Sequence, residues 1–277
     1  MINEAVIIVG GMGTRLLPYT KTVTKEMLPI FDVPSIFLLV KEAYLSGIKK
    51  VIFVVTKRNK KLIENYFSND TYLDNFIKDE PVKQKLLLEL KKIIKEMKFQ
   101  YVYETIRGSY GAVYSARNYI KNDNFLVMYG DDIIDSKIPL TKQLIDNYQK
   151  TNSMQMAIYK PDLNDLPKIG LIKYDKDNNL ISITKLEESN KVIAIGRFIL
   201  NKKIFKVKNQ LTVYQNNELY LPHSLLHFKD TKCYLINGYY FNIGEKLGFI
   251  KASIHYALKN EEYRDEMLKF LKEIWYI

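Results

Sequence analysis

The stretch that decides the fold is Met1–Ile30, MINEAVIIVGGMGTRLLPYTKTVTKEMLPI. Ala5-Val6-Ile7-Ile8-Val9 is an unbroken apolar run, which reads as a parallel strand buried on both faces. Gly10-Gly11-Met12-Gly13-Thr14-Arg15 follows directly, and Lys25 stands ten residues beyond Arg15, inside Lys25-Glu26-Met27-Leu28-Pro29. Three glycines in four positions let the chain bend sharply and turn several N–H groups towards one point. Arg15 adds a planar fork that matches phosphate oxygens, and Lys25 adds a mobile point charge. The arrangement suits a triphosphate. It is not the dinucleotide fingerprint, because the spacing is not G-x-G-x-x-G and no helix pattern opens at once. It is not a Walker loop, because no Gly-Lys-Ser/Thr closes it.

Working outward, the rest of the first half alternates strand and helix. Helical spacing runs from Ile36 to Ser46, after Pro34 and up to Gly47. Val51–Val55 reads as a second strand, Lys60–Phe67 as a short helix and Val82–Met97 as a longer one. Phe99–Tyr103 reads as a third strand, Ser109–Ile120 as a helix entered through Gly108 and Gly111, and Phe125–Tyr129 as a fourth strand. That alternation predicts an α/β fold: a Rossmann-like mixed, mainly parallel sheet with helices on both faces. Ligands in such sheets bind at the carboxyl ends of strands. The glycine loop and Asp131, in Gly130-Asp131-Asp132, both fall there. A carboxylate at a strand end facing a phosphate loop is where a Mg²⁺ ion sits.

The second half reads as strands at Met154–Lys160, Gly170–Tyr174, Leu180–Leu186 and Ile193–Leu200, then a helix at Glu218–His227. Cys233–Ile236 and Tyr239–Asn242 flank Asn237-Gly238, a hairpin signal. Helices follow from Lys246 to Lys259 and from Glu262 to the end, where Trp275-Tyr276-Ile277 is expected to be buried. No repeat, low-complexity segment or linker interrupts the chain, so one domain is expected over 1–277. Its first half, 1–135, carries the phosphate loop, the second covers 136–245, and the C-terminal helices of 246–277 are available for an oligomer contact.

Of the 277 residues 47% are apolar, ample for a core, but no run approaches the ~18 residues that span a bilayer. Cys233 is the single cysteine, which excludes an intrachain disulfide and a cysteine-based metal cluster. A cytoplasmic protein with no membrane partner is expected. The net charge of +11 invites a nucleic-acid reading. Only six of the 42 basic residues are arginine, and the lysines are interleaved with acids, so no nucleic-acid partner is expected. His223, His227 and His255 are dispersed and read as structural.

Gly-Gly-x-Gly-Thr-Arg-x-x-Pro followed by Lys-Glu-Met-Leu-Pro-Ile resembles the signature of the sugar-nucleotide pyrophosphorylases, in the form carried by bacterial UTP–glucose-1-phosphate uridylyltransferases. The resemblance extends to about Asn260 and is worn in the second half. It implies a nucleotidyltransferase (glycosyltransferase-A-like) fold, uridylyl transfer from UTP to glucose 1-phosphate, Mg²⁺, and a homodimer or homotetramer. It assigns Arg15 and Lys25 to catalysis, and Gly10, Gly11, Gly13, Thr14, Gly108 and Gly111 to the nucleotide. It assigns Gly170, in Ile169-Gly170-Leu171-Ile172, and Glu187, in Leu186-Glu187-Glu188-Ser189, to the sugar, and so implies a nucleotide-binding half over 1–135 and a sugar-binding half over 136–245. The metal-binding Asp of the family matches Asp131, with Asn242 where the wider superfamily has a second metal-binding Asp. There are departures. The upstream glutamine is replaced by Tyr103 or Glu104, Glu188 reverses the charge of a lysine, and Pro222 and His223 replace Thr-Asp. These leave two alternatives: a catalytically weakened nucleotide-sugar binder, or a pyrophosphorylase for another sugar or base, such as a thymidylyltransferase.

Overall fold

The computed structural model describes residues 1–162, 167, 169–214 and 217–275. The strands are β1 (Glu4–Ile8), β2 (Pro29–Ile30), β3 (Val33–Pro34), β4 (Lys50–Val55), β5 (Lys98–Tyr103), β6 (Asn124–Tyr129), β7 (Asp132–Asp135), β8 (Gln155–Tyr159), β9 (Ile169–Tyr174), β10 (Leu180–Lys185), β11 (Val192–Asn201), β12 (Lys232–Leu235) and β13 (Tyr239–Asn242). The helices are α1 (Ser35–Leu45), α2 (Lys60–Tyr66), α3 (Thr71–Phe76), α4 (Pro81–Glu96), α5 (Ser109–Ser115), α6 (Leu140–Thr151), α7 (Leu221–Leu225), α8 (Lys246–Lys259) and α9 (Arg264–Trp275). None of the described helices is long and apolar enough to cross a membrane.

The main sheet runs β10-β9-β11-β6-β1-β4-β5, with β8 on β11 and β12 on β8. β1 pairs in parallel with β4 and with β6, and β4 with β5. The expected α/β class and parallel first half are therefore present. β11 then runs antiparallel to β6, β8 and β9 and makes the sheet mixed. Two-residue alternation splits the apolar strands between two cores. Ala5, Ile7, Val51, Phe53, Leu126 and Met128 face one layer, which α1 and α6 cover. Val6, Ile52, Val54, Phe125 and Val127 face the other, which α5 and α7 cover.

Several local readings are corrected. Asn237-Gly238 closes no hairpin: β12 runs parallel to β8, whereas β13 pairs antiparallel with β7 in a separate two-stranded sheet. Both flanking strands are claimed by distant partners, and a Cβ at Gly238 would lie 2.6 Å from the Asp135 carbonyl oxygen. The helix expected over Ser109–Ile120 ends at Ser115. Its tail turns through i to i−3 bonds, such as Tyr119 N–H to the Ala116 carbonyl at 2.9 Å. The helix expected from Glu218 starts only at Leu221, because the Leu219 amide donates to Arg107 O and the Leu219 carbonyl accepts from Tyr110 N. α3, β7 and α6 have no counterpart among the elements expected from sequence. α3 does show a start signal, since the Asp70 carboxylate caps it by accepting from Leu73 N at 3.0 Å. The side chains of Trp275, Tyr276 and Ile277 lie outside the described residues.

Candidate active site

The glycine loop leaves the carboxyl end of β1 and enters a short 3₁₀ turn, Thr14–Leu16. Gly13 takes φ +65°, left-handed backbone that a side chain adopts only under strain, and its carbonyl accepts from Thr20 Oγ1 at 2.7 Å. This turn points Arg15 outward, where Nη1 donates to Glu245 Oε1 at 2.5 Å. Both side chains are more than half exposed, so the pair is worth about 1 kcal/mol at most and a bound anion can take Arg15 over.

Lys25 lies opposite the loop: a Cβ on Gly11 would stand 3.1 Å from its Nζ. The lysine is buried and hydrogen-bonds Asp131 Oδ2. Burial pulls its proton affinity down, but the Asp131 and Glu26 carboxyls and the Asp131 hydrogen bond outweigh that and raise it. Lys25 is therefore a fixed cation.

Asp131 follows β6. Its carbonyl accepts from Ile243 N at 2.8 Å, which ties it to the end of β13. Asn242 stands in register with Asp132 on the β7–β13 pair. The point that a Cβ on Gly244 would occupy is 2.9 Å from Asp131 Oδ2, 3.0 Å from Asn242 Oδ1 and 3.6 Å from Arg15 Nη2. Glycine at 244 thus leaves open a cradle bounded by two hard oxygen donors and a guanidinium. Oxygen donors of this kind suit a divalent cation that completes its shell with phosphate and water. Among the described residues no three His, Cys, Asp or Glu side chains cluster as a closed metal cage. Asp132, by contrast, braces the fold behind the site. It is buried and accepts from Gly196 N at 2.6 Å and Tyr240 Oη at 2.8 Å. Desolvation, with Asp131 alongside, pushes its carboxyl up to about 6.

Glu26 is fully buried beneath Lys25, 3.9 Å from its Nζ, and neither carboxyl oxygen accepts a well-formed hydrogen bond. Desolvation pushes it up to about 8, and the nearby Lys25 charge only partly offsets that. The native state therefore holds a proton that an unfolded glutamate releases near 4.5, so stability falls as pH rises between those values. Glu26→Gln is expected to flatten this decline, shrinking the gap between melting temperatures at pH 5 and pH 8 by several degrees in calorimetry. An unchanged gap would place the titration elsewhere.

A cavity of about 490 Å³ opens from the loop, with Gly10, Gly11, Lys25, Glu104, Gly108 and Asp131 on its wall. Glu104 is half-buried against Gly10. Burial raises its proton affinity and Arg107 lowers it in part. Gly108 has φ +89°, and a Cβ there would strike the Leu219 backbone at 2.4 Å. Gly111 is off this wall: it is buried in α5 against the Ile106 carbonyl, where a Cβ has no room.

A second cavity, of about 550 Å³, holds Gly170, Thr184, Glu188, Tyr214, Tyr220 and His223 on its wall. The two cavities meet where Tyr220 Oη donates to Glu218 Oε2 at 2.6 Å, since Glu218 lines the first. Glu187 stays exposed on the turn Leu186–Glu188 and lines neither cavity. Arg107 and Tyr214 line the cavities without belonging to any motif of the sequence, whereas Glu218 and Tyr220 fall in Glu218-Leu219-Tyr220-Leu221, which stands where the family has Glu-Ile-Gln-Leu.

The chain matches the nucleotidyl transferase family over residues 4–257. It is 33% identical to UTP–glucose-1-phosphate uridylyltransferase 1 of Staphylococcus saprophyticus, over 99% of each chain. It is 32% identical to the Streptococcus pneumoniae UTP–glucose-1-phosphate uridylyltransferase, over 99% of this chain and 96% of that one. Among solved structures, UTP-bound UGPase from Acinetobacter baumannii superposes with a TM-score of 0.86 at 26% identity, covering 99% of both chains. A UDP-glucose pyrophosphorylase complexed with UDP-glucose superposes with a TM-score of 0.83 at 28% identity, covering 94% of this chain and all of that one. The chain belongs to the nucleotidyl transferase family and, within it, to the UTP–glucose-1-phosphate uridylyltransferases.

Proposed function

We propose that the protein transfers the uridylyl group of UTP to glucose 1-phosphate, giving UDP-glucose and pyrophosphate. The observation that carries this reading is the convergence of Lys25, Asp131, Asn242 and Arg15 at one end of a glycine-loop cavity. A phosphate oxygen of the sugar phosphate attacks the α-phosphorus, and the bond to pyrophosphate breaks on the opposite side. The nucleophile is already an anion, so the site needs no strong base; it needs alignment and charge neutralisation. Arg15 and the amides of Gly10, Gly11, Gly13 and Thr14 hold the triphosphate. Lys25 steadies the transferring phosphoryl group from a fixed position. Gly108 and Glu104 flank the base, and Gly170 faces the sugar with Glu187 on the rim. Bound at Asp131 and Asn242, Mg²⁺ supplies charge neutralisation to the phosphates. A homodimer or homotetramer belongs to the same reading, supported by Leu268, Phe270 and Ile274, which α9 exposes.

Pyrophosphate release by the purified protein tests the proposal, with glucose 1-phosphate, Mg²⁺ and each of UTP, dTTP, ATP, CTP and GTP in turn. Release is expected with UTP, falling about 10²-fold or more in Asp131→Asn, which keeps the shape and removes the charge. Silence with UTP but release with dTTP would transfer the reading to thymidylyl chemistry. Silence with all five would end it.

A further inference from the structure

Arg15 and Glu245 are 230 residues apart, and their ion pair ties the glycine loop to the start of α8. Both ends of the pair have fixed backbones and free side chains. Arg15 lies in the 3₁₀ turn Thr14–Leu16, where Leu16 N donates to the Gly13 carbonyl at 2.9 Å and Leu17 N to the Thr14 carbonyl at 3.3 Å. Glu245 N donates to the Asn242 carbonyl at 3.3 Å, and the Glu245 carbonyl accepts the first bond of α8, from Phe249 N at 2.9 Å. The side chains are 62% and 54% exposed, so each turns about its own bonds without disturbing the fold. The pair stands on the Asp131 side of the glycine-loop cavity. The point of a Gly244 Cβ is 3.6 Å from Arg15 Nη2 and 2.9 Å from Asp131 Oδ2, and Asp131 lines that cavity. The Glu245 charge reaches the same place: burial raises the proton affinity of the Tyr240 phenol, and Asp132, Asp131 and Glu245 raise it further.

A polyphosphate approaching Arg15 therefore meets a neutral pair, not a cation. Phosphate is the stronger partner, since it takes the guanidinium in charge-assisted, bidentate bonds, whereas an exposed carboxylate holds it weakly. Whichever edge of the guanidinium the phosphate takes, the neighbouring carboxylate opposes it by like charge. We propose that Glu245 competes with polyphosphate for Arg15: it weakens the hold of the site on the triphosphate, and it takes the guanidinium back as pyrophosphate leaves. Glu245 acts through Arg15 and touches no reacting atom. This rests on the uridylyltransferase reading for the identity of the triphosphate, whereas the competition itself needs only linked phosphates.

Calorimetric titration of inorganic tripolyphosphate and of UTP, each in the presence of Mg²⁺, is the test. Glu245→Gln keeps the size and both backbone bonds of that position and removes the charge. It is expected to tighten both ligands about fivefold, the equivalent of one exposed ion pair, and to strengthen product inhibition by pyrophosphate to the same degree. In an Arg15→Gln background the same substitution is expected to give a clearly smaller gain, because only the repulsion between carboxylate and phosphate remains. This double-mutant cycle separates action through Arg15 from a general effect of charge. Unchanged or weaker binding in Glu245→Gln overturns the proposal, and so does an equal gain in both backgrounds. A wild-type protein that binds no tripolyphosphate overturns it too. A wild-type protein that binds tripolyphosphate but releases no pyrophosphate from UTP refutes the uridylyltransferase reading alone, and the tripolyphosphate cycle still decides the competition.

Discussion

Lys25→Ala is expected to lower the rate of pyrophosphate release by about 10²- to 10³-fold, the usual cost of removing one preorganised charge from a phosphoryl- or acyl-transfer site. Three features make the loss large. The ammonium is buried, so its field is poorly screened. It is held by Asp131 beneath Gly11, so it needs no reorganisation when substrate arrives. No other described cation occupies that place: Arg15 is engaged with Glu245 at the outer edge, and Arg107 lies on the far wall beside Glu104. Single-turnover measurement separates this from slow product release. The expected signature is a fall in kcat with little change in UTP affinity, because the lysine acts on the transferring phosphate. Arg15→Ala, by contrast, is expected to weaken UTP binding more than turnover. A Lys25→Ala rate close to wild type would move the catalytic charge elsewhere.

Arg197→Leu is expected to cost roughly 3–5 kcal/mol of folding stability, the largest single-site effect on the fold. Arg197 is fully buried at the centre of β11. Its guanidinium grips Glu42 of α1, with Nη2 to Oε2 at 2.8 Å and Nε to Oε1 at 3.1 Å, while Nη1 donates to the Gly196 carbonyl at 2.8 Å. Glu42 Oε1 also accepts from Thr141 N and Oγ1, at 3.1 and 2.7 Å, which anchors the start of α6. One ion pair thus joins a strand and two helices. Removing the arginine leaves a carboxylate buried without its counter-charge. The double variant Glu42→Leu/Arg197→Leu is expected to recover much of the loss, because the penalty arises from the unpaired charge and not from the absent pair. Urea melts of both singles and the double form the cycle. Equal and additive losses would show that packing, not charge, sets the cost.

Glu42 and Arg197 also show why the sequence can be read so far and no further. Arg197 falls inside the strand read over Ile193–Leu200, yet nothing in the chain connects it to a glutamate 155 residues away. What is legible is what depends on neighbours in sequence. The unbroken apolar runs of β1, β4 and β6 are short and bounded by turn residues, which favours strands covered on both faces. The glycines of the loop and the acid at the end of β6 follow from the turn chemistry beside those strands. Those elements carry the α/β class, and with it the meeting of Arg15, Lys25 and Asp131 at the carboxyl ends of the central strands β1 and β6.

Long-range partners decide the rest. Asn237-Gly238 has hairpin chemistry, but β8 and β7 each bind one flanking strand, and the sheets they belong to are different. Glu187 and Glu188 are adjacent in sequence and equally acidic, and only the turn of the chain after β10 puts Glu188 on the cavity. Gly111 and Gly108 look alike in sequence. One is required by the Ile106 carbonyl inside the core and the other by the Leu219 backbone at the cavity wall. Local preference selects strands, turns and a phosphate loop because their energetics are set within a few residues. Which side chains share a cavity is settled by pairings across more than a hundred residues, whose free energy no short stretch contains.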